Sequence, residues 1–189
     1  MGVHRKVNSP GIYFITFTCH NWLPLIEWVK GYDLVYKWFD ILSEQGNAIT
    51  GYVIMPNHIH LLLYFSGGKS LNTIIGNGKR FMAYDIVKRL IKQKEKALLW
   101  KLRCGVKYKD KMRGKLNEVW KNSFDVRECR TDAFVFQKLR YIHNNPCTGK
   151  WKLAGSIVDY PHSSASFYIR NKPHNYIVRD YREFLNFEE

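Results

Sequence analysis

The segment GYVIMPNHIHLLLYF, residues 51–65, constrains the fold of this chain more than any other. It contains two apolar runs, about 48–55 and 58–65, separated by Pro56-Asn57. Pro presets the first central position of a tight turn and Asn suits the second, so the segment predicts a β-hairpin. Thirteen of its fifteen residues fit an ordinary buried hairpin. The exceptions are His58 and His60. Side chains two apart on a strand point to the same face, so the sheet must carry two imidazoles side by side, next to Leu61, Leu62 and Leu63.

The flanking sequence supplies further elements. Residues 11–20, GIYFITFTCH, are β-branched and aromatic and predict a strand. From Trp28 to Gln45, Val29, Tyr32, Val35, Tyr36, Phe39 and Leu42 recur at helical spacing, and Gly46 closes the helix. Ser70 is placed to cap a second helix containing Leu71, Ile74, Ile75, Phe81, Met82, Ile86 and Leu90, with Gly76 and Gly78 weakening its first turns. Residues 92–119 are lysine-rich with little periodicity and predict an exposed helix end and a loop. A strand is expected within 121–129. Thr131 can cap a last helix through FVFQKLRYIHNN, which Pro146 should end at Asn145 by disfavouring helical geometry there. The order is β-α-β-β-α-β-α. Its first six elements match the ferredoxin-like split βαβ unit, an α+β sandwich with an antiparallel sheet and helices on one face. The expected division is a domain over 1–149 and a C-terminal extension over 150–189.

The chain has 189 residues, 46% hydrophobic and 15% aromatic, enough for a real core. Its formal net charge of +14 favours a polyanionic partner, nucleic acid or an anionic membrane. No apolar run approaches the roughly 18–20 residues that span a bilayer. MGVHRKVNSP lacks a signal-peptide core, and Lys6 stands where an N-myristoylation motif wants Ser or Thr. Cys19, Cys104, Cys129 and Cys147 show no C-x-x-C spacing, so neither a zinc ribbon nor a disulfide scaffold is expected, and a reduced cytoplasmic setting is. Between Lys79 and Arg130 there are 17 Lys plus Arg against 6 Asp plus Glu, which places +11 of the net charge in that stretch. A solvated helix face explains part of it. Trp100, Tyr108, Trp120 and Phe124 are interleaved, however, and the bases of single strands stack on such rings. Lys79, Arg80, Lys107, Lys109, Lys121, Arg127 and Arg130, with Arg140 on the last helix, are the candidate DNA-contacting residues.

Two imidazoles at this spacing can chelate one divalent metal if another element supplies a third ligand. A bare H-x-H is a weak motif and is more often two satisfied core or surface histidines. In KLRYIHNNP, Tyr141 and Asn145 are four apart and share a helix face. The Asn145 amide oxygen is a hard ligand that suits Mg²⁺ or Mn²⁺. Tyr141 is a poor nucleophile when free, but a metal can polarise the electrophile it attacks. Alternatively, Tyr141 is a core aromatic in line with Phe134 and Leu139.

GYVIMPNHIHLLLYF, FQKLRYIHNNP and DYPHSSA together resemble the REP-associated tyrosine transposases of the single-tyrosine HUH endonuclease group, over roughly residues 10–168. The family pattern M-P-N-H-x-H-x-L, then Y-I-x-x-N-P, then Y-P-x-S-S-A occurs here in order. The chain departs from it after Asn145-Pro146, where Cys147-Thr148-Gly149-Lys150-Trp151 replaces a short apolar stretch following Val and Gly. The resemblance implies His58 and His60 as metal ligands, Asn145 as the amide completing the site, and Tyr141 as the nucleophile. It implies cleavage of single-stranded DNA near hairpins formed by repeated palindromic sequences. The products would be a 5′-phosphotyrosine and a 3′-OH that can rejoin, with no ATP required. Enzymes of this group work as monomers or as homodimers whose sites share elements. Two other readings remain at this point: a non-catalytic or domesticated ferredoxin-like nucleic-acid-binding protein, and a metal-dependent hydrolase using a His-bound water.

Overall fold

The computed structural model describes residues 7–149 and 151–185; Lys150, at the expected boundary of the extension, lies outside them. Four antiparallel strands form one sheet: β1 (Gly11–Thr18), β2 (Ala48–Met55), β3 (His58–Phe65) and β4 (Asp125–Glu128), in the order β2-β3-β1-β4. This is the expected split βαβ topology. Pairing sets Thr16 opposite His60 and Thr18 opposite His58.

Alternation along the strands divides the side chains between two cores. Tyr13, Ile15, Phe17, Ile59, Leu61 and Leu63 pack on one face. That face is covered by α2 (Tyr32–Glu44) and α3 (Leu71–Lys92), the latter capped by Ser70 accepting from the Thr73 N–H. On the other face Ile12, Phe14, Val53, Met55 and Leu62 pack against Val135, Leu139 and Ile142 of α6 (Asp132–Asn144). His58 and His60 share that second face by parity. In β2 the parity is set by an irregularity between Ile49 and Gly51, across which the inward-facing residues change from odd to even. Gly51 also seats α6, because a Cβ there would lie 2.6 Å from Leu139 Cδ2.

Several elements differ from the sequence reading. The helix expected from Trp28 is two pieces, α1 (Leu25–Trp28) and α2, separated where Lys30 adopts a left-handed φ of 50°. The lysine-rich stretch contains α4 (Lys96–Cys104), anchored by buried Leu102, and the short α5 (Tyr108–Lys111). β4 is shorter than the 121–129 run. Asn145 keeps helical angles (φ −54°, ψ −44°) despite Pro146, and a 3₁₀ turn over Asn145–Cys147 follows directly. The turn that ends α6 therefore holds Asn145 in register with Tyr141 rather than releasing it.

Residues 151–185 do not leave β2 as an open edge. The Ile54 N–H donates to the His162 carbonyl (2.9 Å) and the Ser164 N–H to the Tyr52 carbonyl (3.0 Å). Tyr160 Oη donates to the Ile54 carbonyl (2.8 Å), and the His162 ring stacks on Tyr32 at 3.6 Å. This covers the backbone groups that an edge strand exposes, and with helices over both faces of the sheet all eight residues of β2 are buried. A short helix, α7 (Ala165–Arg170), follows, and Tyr160 and Tyr181 join the core beneath α6.

Candidate active site

The two histidines arise from the hairpin, and the groups that orient them come from its turn, from β1 and from the end of α6. Asn57 is fully buried in the turn between β2 and β3. Its Nδ2 donates to the Trp22 carbonyl at 3.0 Å, which leaves Oδ1 to accept from His58 Nδ1 at 2.7 Å. Asn145 Nδ2 donates to His60 Nε2 at 3.2 Å, so His60 Nδ1 carries the proton and donates to Thr16 Oγ1 at 2.7 Å. Both rings thus hold their proton on the sheet side, and both Nε2 lone pairs are free of it. The ring centroids lie 4.8 Å apart.

Burial favours the neutral form of each imidazole. The His58 pKa is lowered to about 4 by desolvation, partly offset by a hydrogen bond to Asn145. His60 is lowered to about 3 by desolvation, reinforced by the nearby His58 and Lys138. Neutral imidazole is the form that binds a metal. Among the described residues no three His, Cys, Asp or Glu side chains form a metal cluster. The donor set is two imidazoles and one amide, and turning the Asn145 amide over presents Oδ1 to the same point. Two neutral nitrogens and an amide oxygen fit a divalent ion that keeps open positions for oxygen ligands.

Tyr141 stands at the mouth of this group. Its ring centroid is 5.0 Å from that of His60 and 6.0 Å from that of Phe14, which itself stacks on His60. It is 52% exposed, which rules out the core-aromatic alternative; Leu139 is the side chain that α6 buries there. The surrounding cleft has a volume of about 720 Å³; beside His58, His60, Tyr141 and Asn145 it is lined by Trp22, Phe124, the cations Lys121, Arg127 and Lys138, and one carboxylate, Asp125.

Of the basic residues expected to contact DNA, the structure brings Lys121 and Arg127 to the cleft. Lys121 Nζ also lies 4.3 Å above the Trp22 ring. Lys79 has a different placement. It is buried, and its ammonium donates to the Lys121 and Ser123 carbonyls (2.7 and 3.4 Å), so it fastens α3 to the segment before β4 and is withdrawn from any phosphate. Arg130 is paired with Glu128 at 2.8 Å. Arg80, Lys107, Lys109 and Arg140 are exposed and do not line the cleft. Sequence reasoning did not single out Lys138, although it lies three residues before Tyr141 on the same helix face; its Nζ is 5.0 Å from the Phe14 ring centroid. Thr16 and Asn57 were missed as orienting groups, the first because only strand register reveals it.

No family model matches the sequence, and no curated protein matches it significantly. A solved structure does share its fold. The structure of a REP-associated tyrosine transposase bound to a REP hairpin has a TM-score of 0.63 at 16% identity, covering 95% of this chain and 93% of that one. A Deinococcus radiodurans R1 protein carrying a transposase assignment has a TM-score of 0.44 at 16% identity, over 76% of this chain and 97% of its own. At such identity the first likeness is one of fold. Among the described residues no helix is long and apolar enough to cross a membrane.

Proposed function

We propose that this protein is a metal-dependent, transposase-like endonuclease and strand transferase for single-stranded DNA, with Tyr141 as its nucleophile and hairpins with single-stranded flanks as its substrate. The observation that carries the reading is the half-exposed phenol of Tyr141 beside two neutral imidazoles and the Asn145 amide, all in one basic cleft. The solved neighbour's REP hairpin points to the same class of partner.

In this reading Tyr141 Oη attacks the scissile phosphorus. A P–O bond to the tyrosine forms as the bond to the 3′ oxygen breaks. The phenolic proton passes to solvent and the departing 3′ oxygen takes one up, leaving a 5′-phosphotyrosine and a free 3′-OH. Attack by a 3′-OH on the same phosphorus reverses the exchange and restores the tyrosine, so no external energy source is needed. His58, His60 and Asn145 would hold Mg²⁺ or Mn²⁺, which when bound supplies positive charge to the scissile phosphate and makes its phosphorus more electrophilic. Lys138, Lys121 and Arg127 add fixed positive charge along the strand. Trp22, beside His58 at a centroid distance of 5.9 Å, offers a face on which a flanking base can stack.

The test mixes the protein, Mg²⁺ or Mn²⁺ and an end-labelled hairpin with single-stranded flanks. A protein–DNA adduct that survives denaturation is expected from the wild type and not from Tyr141→Phe, which should still bind. Cut product without adduct would instead establish a His-bound water as nucleophile. Binding without cleavage would establish a non-catalytic module.

A further inference from the structure

A second groove, about 750 Å³ in volume, runs between α3 and the segment 113–124. Arg80, Ala83, Tyr84 and Val87 form one wall, and Arg113, Lys115, Leu116 and Trp120 the other. Tyr84 and Leu116 are 67% and 74% exposed, although they flank a concave surface. The ionisable lining is unbalanced. Apart from Lys79, whose ammonium is held by two carbonyls, Arg80, Arg113, Lys115 and Lys121 face a single carboxylate, that of Glu118, and it is already paired with Lys115 at 2.7 Å. Arg80 and Arg113 make no ion pair among the described residues. Lys121 and Phe124 line both this groove and the cleft that holds Tyr141, so the two concavities meet at those residues.

The exposed Tyr84 ring on one wall, the Arg80 and Arg113 guanidiniums without an ion pair and the continuity with the cleft describe a path for a flexible polyanion with aromatic side groups. The volume suits a short stretch of single strand and is too small for a duplex. We propose that this groove binds the single-stranded flank of the substrate, with Tyr84 as a stacking platform and Arg80 and Arg113 as phosphate contacts, and that Lys121 and Phe124 hand the strand from the groove to the cleft. The proposal rests on the reading of the cleft as a DNA-cleaving site and assigns a further binding surface to it.

The experiment compares, by fluorescence anisotropy, a hairpin with a minimal flank against hairpins extended at the 5′ or the 3′ end. Extension at one end should tighten binding by the wild type. Tyr84→Ala should remove about tenfold of that gain, the size of one base–aromatic stack. Arg113→Gln should flatten the log–log salt dependence for the extended probe by about 0.7, one phosphate on a single strand. Both variants should bind the minimal hairpin, and form adduct with it, as the wild type does. The proposal is overturned if extension at neither end tightens binding, or if the gain survives in both variants. A wild type that binds no hairpin at all overturns the DNA reading itself, and the groove assignment with it.

Discussion

Replacing Asn57 with Ala tests whether the imidazoles are oriented for a metal or merely buried. Asn57 touches nothing that reacts; it acts through His58. Its amide is locked by donation to the Trp22 carbonyl, and that lock is what commits Oδ1 to the His58 Nδ1–H. In Asn57→Ala the buried Nδ1–H loses its acceptor, a cost of about 1–3 kcal/mol. The ring escapes that cost by moving its proton to Nε2 or by rotating, and either move withdraws a lone pair from the cleft. Loss of such an outer partner typically weakens metal binding by about 10–100-fold, or about 1.4–2.7 kcal/mol. Calorimetric titration with Mn²⁺ should show that drop, and the rise in melting temperature on adding Mn²⁺ should shrink with it. Asn57→Asp should fall between, since it keeps an acceptor for His58 but sets a carboxylate oxygen against the Trp22 carbonyl. Wild-type Mn²⁺ affinity in Asn57→Ala would refute the reasoning, because the tautomer would then be set by something other than this turn.

Two further outcomes follow from the packing. Leu139→Ala should cost about 3 kcal/mol in denaturant unfolding, since Leu139 is buried over Gly51 and its loss leaves a cavity under α6; adduct yield should fall more than hairpin affinity, because the same helix carries Tyr141 and Asn145. Lys79 should give stability a distinctive pH dependence: burial lowers its pKa from 10.5 to about 8, so between those values the unfolded chain binds more protons and stability rises with pH, by at most about 3 kcal/mol. Unfolding curves of wild type and Lys79→Met from pH 7 to 10.5 check this, and parallel pH profiles would contradict it.

The parts of this molecule that were legible in its sequence are those set by short-range periodicity. The spacing of His58 and His60 put both rings on one face without any knowledge of the sheet, and a four-residue interval did the same for Tyr141 and Asn145. The sheet order followed from the pattern of elements, because few topologies connect such a series without crossing. The failures were also local at first sight. Lys30 interrupts a helical pattern by taking a left-handed φ that no residue type announced. Residues 96–104 look like solvated charge until Leu102 is seen to be buried. In both cases tertiary packing outweighed local preference.

Asn145 shows most clearly how the two kinds of information combine. The local rule for a residue before proline argues against helical geometry there, and the structure keeps that geometry because Asn145 starts a new 3₁₀ turn as α6 ends. Had the rule prevailed, Asn145 would have swung off the face of Tyr141 and away from His60 Nε2. The residues that complete the site are fixed by contacts far apart in the chain: Thr16 reaches His60 across 44 positions, and Asn57 reaches Trp22 across 35. No local pattern encodes such contacts. The first depends on the register of β1 against β3, and the second on the chain after β1 lying over the turn between β2 and β3. The charge follows the same logic. The 17 basic residues within 79–130 mark the chain as a partner for a polyanion, yet only folding separates Lys79, spent on two carbonyls, from Lys121, which stands where the cleft and the groove meet.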